Sequence, residues 1–120
     1  MSEAGEYFFR EGCFITELSN SSDDPVVSIA RARVEPGKTT RWHRLRDTVE
    51  RYVIISGAGI VEIGDQASRA VNAGAVVIIP ALCPQRIRNS GSDDLIFLAI
   101  CTPRFVPDNY EDIEESLDKK

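Results

Sequence analysis

The sequence has few cysteines and no closely spaced pair of them. Cys13, Cys83 and Cys101 lie far apart, their number is odd, and no CxxC motif is present. A disulfide framework normally uses an even number of cysteines, and thiolate zinc sites usually contain such pairs. The composition therefore argues against a disulfide-stabilised secreted domain and against a zinc finger, and it fits a reducing compartment.

Long hydrophobic runs are also lacking. The longest apolar stretch, residues 73–82, is interrupted by Pro80, and it is shorter than the roughly 20 residues that a membrane-spanning helix needs. The first residues, MSEAGEYFFREG, have neither the basic start nor the apolar core of a signal peptide. We therefore expect a cytoplasmic protein that neither spans nor enters a membrane.

Basic residues are in deficit: 14 lysines and arginines stand against 19 acidic residues, for a net charge of −5. Nucleic-acid-binding proteins usually present a basic surface or a high isoelectric point. We expect no nucleic-acid partner, and the arginines between Arg31 and Arg51 suit a small anion better than DNA. A chain of 120 residues has enough material for one compact domain.

The main pattern that is present is a succession of short β-branched or aromatic runs. Turn signals such as Pro36-Gly37 and Ser56-Gly57 separate these runs. The pattern predicts an antiparallel all-β fold in which closure into a barrel hides the sheet edges and lines the interior with alternate residues. The predicted strands are residues 7–9, 14–18, 26–34, 40–45, 51–55, 59–63, 68–71, 76–79, 85–88 and 95–101.

The C-terminal tail has a different pattern. Pro107-Asp108-Asn109 predicts a helix start, and Tyr110, Ile113 and Leu117 then share one face at helical spacing. We expect a short C-terminal helix against the barrel. The predicted organisation is N-terminal strands with a candidate dimer edge in residues 1–25, a barrel in residues 26–105 and an acidic helical tail in residues 106–120.

Two spaced motifs carry the candidate chemistry. In the first, five residues separate Gly37 from His43, and six residues separate Glu50 from Gly57. In the second motif, five residues separate Gly74 from Pro80, four separate Pro80 from Gln85, and three separate Gln85 from Asn89. Together they resemble the two motifs of the cupin superfamily over about residues 26–105. The resemblance implies a small single-domain cupin, that is, a double-stranded β-helix or jelly-roll barrel.

In typical cupins three histidines and one glutamate bind a divalent metal such as Zn, Fe, Ni or Mn. Carried over to this chain, the resemblance gives His43 and Glu50 as matched ligands and Gln85 as a substituted one. Leu45 stands at the second histidine position, and Leu82 replaces the glycine of the second motif. An amide oxygen is a weak donor and Leu45 has none, so metal affinity should be lower than in a complete site.

Strand alternation extends the candidate site beyond the metal ligands. It places Arg41 on the face of His43 and Tyr52 on the face of Glu50. With Gln85, these two side chains are the predicted substrate-binding residues, because they offer hydrogen bonds to a small polar or anionic molecule.

Several functions remain open. One is a metal-dependent enzyme, a dioxygenase or an isomerase, with His43 and Glu50 as catalytic residues. Another is a metal-free module that binds a sugar-like or acid-like molecule. A third is a metal-independent epimerase in which His43 and Glu50 transfer protons. A lone histidine also fits a purely structural, hydrogen-bonded role, and Glu50 also fits an ion pair with an arginine. Small cupins commonly pair through sheet edges, and we expect a homodimer through strands 7–9 and 14–18.

Overall fold

Two antiparallel sheets pack against each other around a shared apolar core. The structure is a computed structural model that describes residues 5–115. In that range the chain forms the strands β1 (Tyr7–Phe9), β2 (Cys13–Ser19), β3 (Ser28–Val34), β4 (His43–Leu45), β5 (Val49–Ser56), β6 (Ala58–Ile63), β7 (Arg69–Asn72), β8 (Val76–Ile79), β9 (Gln85–Asn89), β10 (Leu95–Thr102) and β11 (Tyr110–Asp112).

One sheet has the strand order β1-β2-β3-β10-β5-β8, and the other has the order β11-β4-β9-β6-β7. Neighbouring strands in each sheet are antiparallel, and several of them are distant in sequence, as in β10 between β3 and β5. This arrangement is a jelly-roll barrel, so the predicted all-β fold class is confirmed. Each strand predicted before residue 107 is present, although β4 begins three residues later than expected.

The alternation of side chains across each strand positions the barrel interior. In β5 the side chains of Glu50, Tyr52 and Ile54 are buried, whereas the residues between them are only half-buried. Successive residues of a strand point to opposite faces, so these three side chains share the inner face, as predicted. The Tyr52 ring packs on Phe97 of β10 with 4.4 Å between ring centroids.

The C-terminal tail differs from the prediction. A single 3-10 turn occupies Pro107–Asn109, and the following residues, Tyr110–Asp112, form β11 instead of a helix. The predicted helix therefore does not include Tyr110, because β11 pairs with β4, whose edge would otherwise expose unpaired backbone groups. Helical backbone begins at Glu114 and Glu115, the last of the described residues. Leu117 of the predicted helix lies outside the described residues. Within residues 5–115 no helix is both long and apolar enough to cross a membrane.

Candidate functional site

A cavity of about 70 Å³ lies inside the barrel, on the inner face of β4 and β5. A single water needs roughly 10–15 Å³ of such space, so the cavity is large enough for the reacting part of a small molecule. Its lining is mostly apolar. The acidic and imidazole groups that interrupt that lining near β4 and β5 are Glu11, His43 and Glu50.

A second, wider cavity of about 320 Å³ adjoins the first, and we call it the vestibule. It is lined by Tyr7, Phe9, Arg10, Glu17, Asn20, Phe105, Pro107 and Tyr110. Five of these side chains also line the inner cavity: Tyr7, Phe9, Glu17, Phe105 and Tyr110. The two cavities therefore meet at these five side chains, on the side of β1 and β11.

His43 at the start of β4 is almost completely buried. Its Nδ1 lies 2.7 Å from the carbonyl oxygen of Arg41. Because a carbonyl only accepts hydrogen bonds, this contact assigns the ring hydrogen to Nδ1. The opposite nitrogen, Nε2, lies 3.4 Å from Oε1 of Glu11.

Glu11 lies in the turn between β1 and β2, and it was missed by the sequence analysis because it belongs to neither motif. Its backbone oxygen accepts a hydrogen bond of 2.7 Å from the Arg41 amide, which fixes the turn beside β4. Its Oε2 accepts a weak hydrogen bond from the Cys13 thiol at 3.6 Å. The only local signal was a charged residue followed by Gly12 between two apolar strands.

Glu50 is held by a chain of buried hydrogen bonds. The Tyr52 hydroxyl donates to Oε1 of Gln85 at 2.5 Å, and Nε2 of Gln85 donates to Oε1 of Glu50 at 2.9 Å. The structure therefore brings together Glu50, Tyr52 and Gln85, which the sequence analysis had assigned to one site. Gln85 acts here as a hydrogen-bond link between a phenol and a carboxylate.

Burial is the main cause of the pKa shifts in this hydrogen-bonded group of residues. The pKa of Glu50 is raised to about 7 by loss of solvent and, to a smaller extent, by the nearby Glu11 carboxylate, against the opposing effects of His43 and of the hydrogen bond from Gln85. Burial also raises the pKa of Tyr52 well above its ordinary value, with Glu50 contributing. The carboxyl group of Glu50 therefore changes its protonation state near neutral pH.

The side chain of Arg41 is not brought to the other predicted site residues, although its backbone carbonyl contacts His43. Its Nε donates to Oδ2 of Asp112 at 2.6 Å on the outside of the barrel, and its side chain is 42% exposed. The alternation that placed it beside His43 does not apply, because β4 begins only at His43. Its part in substrate binding stays a prediction. Leu45, in contrast, lines the inner cavity.

The donor groups do not fit a metal centre in their present arrangement. Leu45 offers no donor, and the amide of Gln85 is hydrogen-bonded at both ends to Tyr52 and Glu50. Among residues 5–115 no group of three or more His, Cys, Asp and Glu side chains is arranged to hold a metal ion. Of the set predicted from the family motifs, Glu50 and Gln85 are joined by a hydrogen bond, whereas His43 contacts the Arg41 carbonyl and Glu11.

The barrel and its internal cavity define a double-stranded β-helix protein. Residues 30–101 match the family model described as "Cupin domain", and the chain belongs to the cupin family, whose members often bind transition metals. It is 31% identical to the uncharacterized protein MJ1618 of Methanocaldococcus jannaschii, a match that covers 90% of this chain and 85% of that protein.

Solved structures share the same fold. The oxalate decarboxylase of Lactobacillus farciminis superposes with a TM-score of 0.80 at 20% identity, over 98% of this chain and 36% of that one. The chain thus spans about a third of the length of that enzyme. Pac13, a nucleoside dehydratase studied from Streptomyces, superposes with a TM-score of 0.77 at 17% identity, over 93% of this chain and 86% of Pac13. At these identities the likeness concerns the fold.

Proposed function

We propose that this cupin transfers protons on a small polar molecule, with His43 and Glu50 as the acid–base residues and without a required metal. One observation carries the proposal: both side chains line the same inner cavity. In that position Nδ1 of His43 contacts the Arg41 carbonyl, and the carboxyl group of Glu50 accepts a hydrogen bond from Gln85. Epimerisation beside a carbonyl group is the simplest reaction of this kind.

His43 is oriented for proton exchange through one nitrogen. The carbonyl of Arg41 engages Nδ1, which leaves Nε2 as the nitrogen that gains or loses a proton. When Nε2 accepts a proton from substrate, the carboxylate of Glu11 at 3.4 Å stabilises the resulting imidazolium. Glu11 is thus a positioning and charge-balancing residue for His43.

Glu50 complements His43 because both of its protonation states are populated near neutral pH. A pKa of about 7 is close to the optimum for a group that both gives and takes a proton at physiological pH. In an epimerisation, one of the two residues removes a hydrogen beside the carbonyl, the electron pair moves onto the carbonyl oxygen, and the other residue returns a proton to the opposite face. The Gln85 amide fixes the position of the Glu50 carboxyl group.

A metal-dependent isomerase or dioxygenase is the second candidate. One observation favours it: a histidine whose Nδ1 donates to a backbone carbonyl and whose Nε2 faces a carboxyl group, here that of Glu11, is typical of metal-binding histidines. In that case His43 and Glu50, with Glu11 in place of Gln85, would have to leave their present arrangement to hold Zn, Fe, Ni or Mn, which would supply a Lewis acid or redox centre. A module that binds a sugar-like or acid-like molecule without reaction is the remaining alternative.

Solvent-exchange NMR tests the proposed function. The chain, purified without nickel resin, is incubated in D₂O with a panel of hydroxy acids, keto acids and sugars, and the loss of carbon-bound hydrogen is followed. We expect exchange that survives dialysis against a chelator and that falls at least ~100-fold in His43→Gln and in Glu50→Gln.

Arg86→Gln is the matched control, because Arg86 pairs with Glu62 on the outside of the barrel and its loss should leave exchange unchanged. Exchange that disappears with the chelator, together with stoichiometric metal in the purified protein, would establish the second candidate instead. Binding without exchange at any pH would leave only the binding module.

A further inference from the structure

The hydroxyl group of Tyr110 is buried and has no hydrogen-bond partner among the described residues. Tyr110 is only 7% exposed, and burial raises the pKa of its hydroxyl, so the group is a neutral donor. A buried hydroxyl without a partner is unfavourable, and native proteins rarely retain one. Because Tyr110 lines both the inner cavity and the vestibule, a molecule bound there is a natural partner for it.

The ring of Tyr110 is fixed beside the acid–base site. It stacks on the His43 ring with 5.3 Å between centroids and an interplanar angle of 20°. It also meets the Phe9 ring edge-on at 5.1 Å. Pairing of β11 with β4 places Tyr110 opposite Leu45, so the ring stands in the wall between His43 and the vestibule.

Arg10 places a positive charge over the same ring. Its Cζ lies 4.7 Å from the centroid of Tyr110 and 5.5 Å from that of Phe9. Within residues 5–115 Arg10 has no ion pair, and it is the only lysine or arginine that lines either cavity.

The acidic groups nearby already have partners. Glu17 in the vestibule accepts a hydrogen bond of 3.2 Å from the Tyr7 hydroxyl, and Glu11 contacts His43 and Cys13. Among the described residues, Arg10 and the hydroxyl of Tyr110 are therefore the two donor groups at this wall that remain available to a ligand, and the Glu17 carboxylate directs an acidic ligand group to the Arg10 side of the vestibule. Both of them donate hydrogen bonds, which favours an acceptor with negative charge.

We propose that Arg10 and Tyr110 form an oxyanion subsite in the vestibule and that the substrate is a small acid. Its carboxylate or phosphate group binds the Arg10 guanidinium and accepts a hydrogen bond from Tyr110. The remaining few atoms enter the inner cavity, whose volume of about 70 Å³ suits a short chain. The second half of this statement rests on the proposed function, because it places the reacting carbon beside His43 and Glu50.

Binding measurements with paired probes test the subsite. Lactate is compared with its neutral amide, lactamide, and glycerol 3-phosphate is compared with glycerol, each by NMR titration of the full chain. At least one acid should bind ten-fold or more tightly than its neutral counterpart, and the better acid identifies carboxylate or phosphate as the recognised group. The preference should disappear in Arg10→Gln and fall several-fold in Tyr110→Phe, which keeps the ring and its stacking.

Arg69→Gln is the control, because Arg69 is an exposed arginine of β7, at the opposite edge of the five-stranded sheet from β11, and its loss should leave the preference intact. Equal binding of acids and neutral probes, no binding of either acid, tighter binding of the cation ethanolamine, or a preference that survives Arg10→Gln would each overturn the subsite. An acid preference without any proton exchange would retain the subsite and contradict the proposed function. Proton exchange on neutral sugars alone would support the proposed function and contradict the subsite.

Discussion

At the scale of single residues, the replacement of histidine by Gln85 changes the chemistry that the second motif supports. An imidazole at this position would offer a lone pair to a metal, whereas an amide donates at one end and accepts at the other. In this barrel the amide does both, between Tyr52 and Glu50. A position that belongs to a metal site in the family thus becomes part of a proton-holding hydrogen-bond chain.

Replacement of Glu50 tests this interpretation through stability. Its pKa is about 7 in the folded chain against an ordinary value of 4.5. A raised carboxyl pKa means that the folded state binds the proton more tightly than the unfolded state does. The resulting contribution to the unfolding free energy is complete below pH 4.5 and is lost as the pH rises through 7. The unfolding free energy of Glu50→Gln relative to wild type should therefore rise by about 3 kcal/mol between pH 4 and pH 8. Urea denaturation at both pH values measures this difference.

Glu62→Gln, which removes a carboxylate from the barrel surface, is the control for the loss of one acidic group in general. A difference between Glu50→Gln and wild type that is the same at pH 4 and pH 8 would show that the pKa of Glu50 is not raised. In that case Glu50 would be a permanently charged residue at neutral pH.

At the scale of elements, the tight turn between β5 and β6 restricts which residue can occupy position 57. Gly57 joins β5 to β6 with a positive φ of 90°, a conformation that side-chain-bearing residues rarely adopt. A Cβ at this position would lie 2.6 Å from the carbonyl oxygen of Asp94 and 2.9 Å from Cα of Leu95. The motif glycine therefore allows a close approach of the β5–β6 turn to β10.

Gly57→Ala should lower the unfolding free energy by about 3 kcal/mol or more, because backbone strain and steric overlap add together. Gly37→Ala is a matched control, since Gly37 also has a positive φ, of 78°, but a Cβ there would meet no atom within 4 Å. Its cost should be limited to strain of about 1–2 kcal/mol. Denaturant unfolding of both variants decides the matter, and equal losses would refute the close packing of the turn.

At the scale of the whole molecule, both edges of the six-stranded sheet expose apolar side chains. Phe8 of β1 is 62% exposed, and Ile78 of β8 is 58% exposed. Strand edges with exposed apolar residues tend to pair with another chain unless something covers them. The N-terminal edge is the one that the sequence analysis assigned to a homodimer.

We expect light scattering at micromolar concentration to give twice the chain mass of 13.3 kDa, and Phe8→Lys to give the monomer mass. Ile78→Lys, the same change at the opposite edge, should leave the dimer intact. A monomeric wild type would contradict the dimer. Dissociation by Ile78→Lys alone would move the interface to β8.

The sequence by itself determined the strand positions and the grouping of Glu50, Tyr52 and Gln85, because alternation, turn residues and motif spacing are properties of short segments. Only the tertiary structure decided which segments meet. It brought Glu11 from a turn outside both motifs to His43, turned Arg41 outward to Asp112, and made Tyr110 part of a strand. Each of these outcomes depends on the pairing of distant edges and on the backbone groups that such edges leave to be satisfied, which no local pattern records.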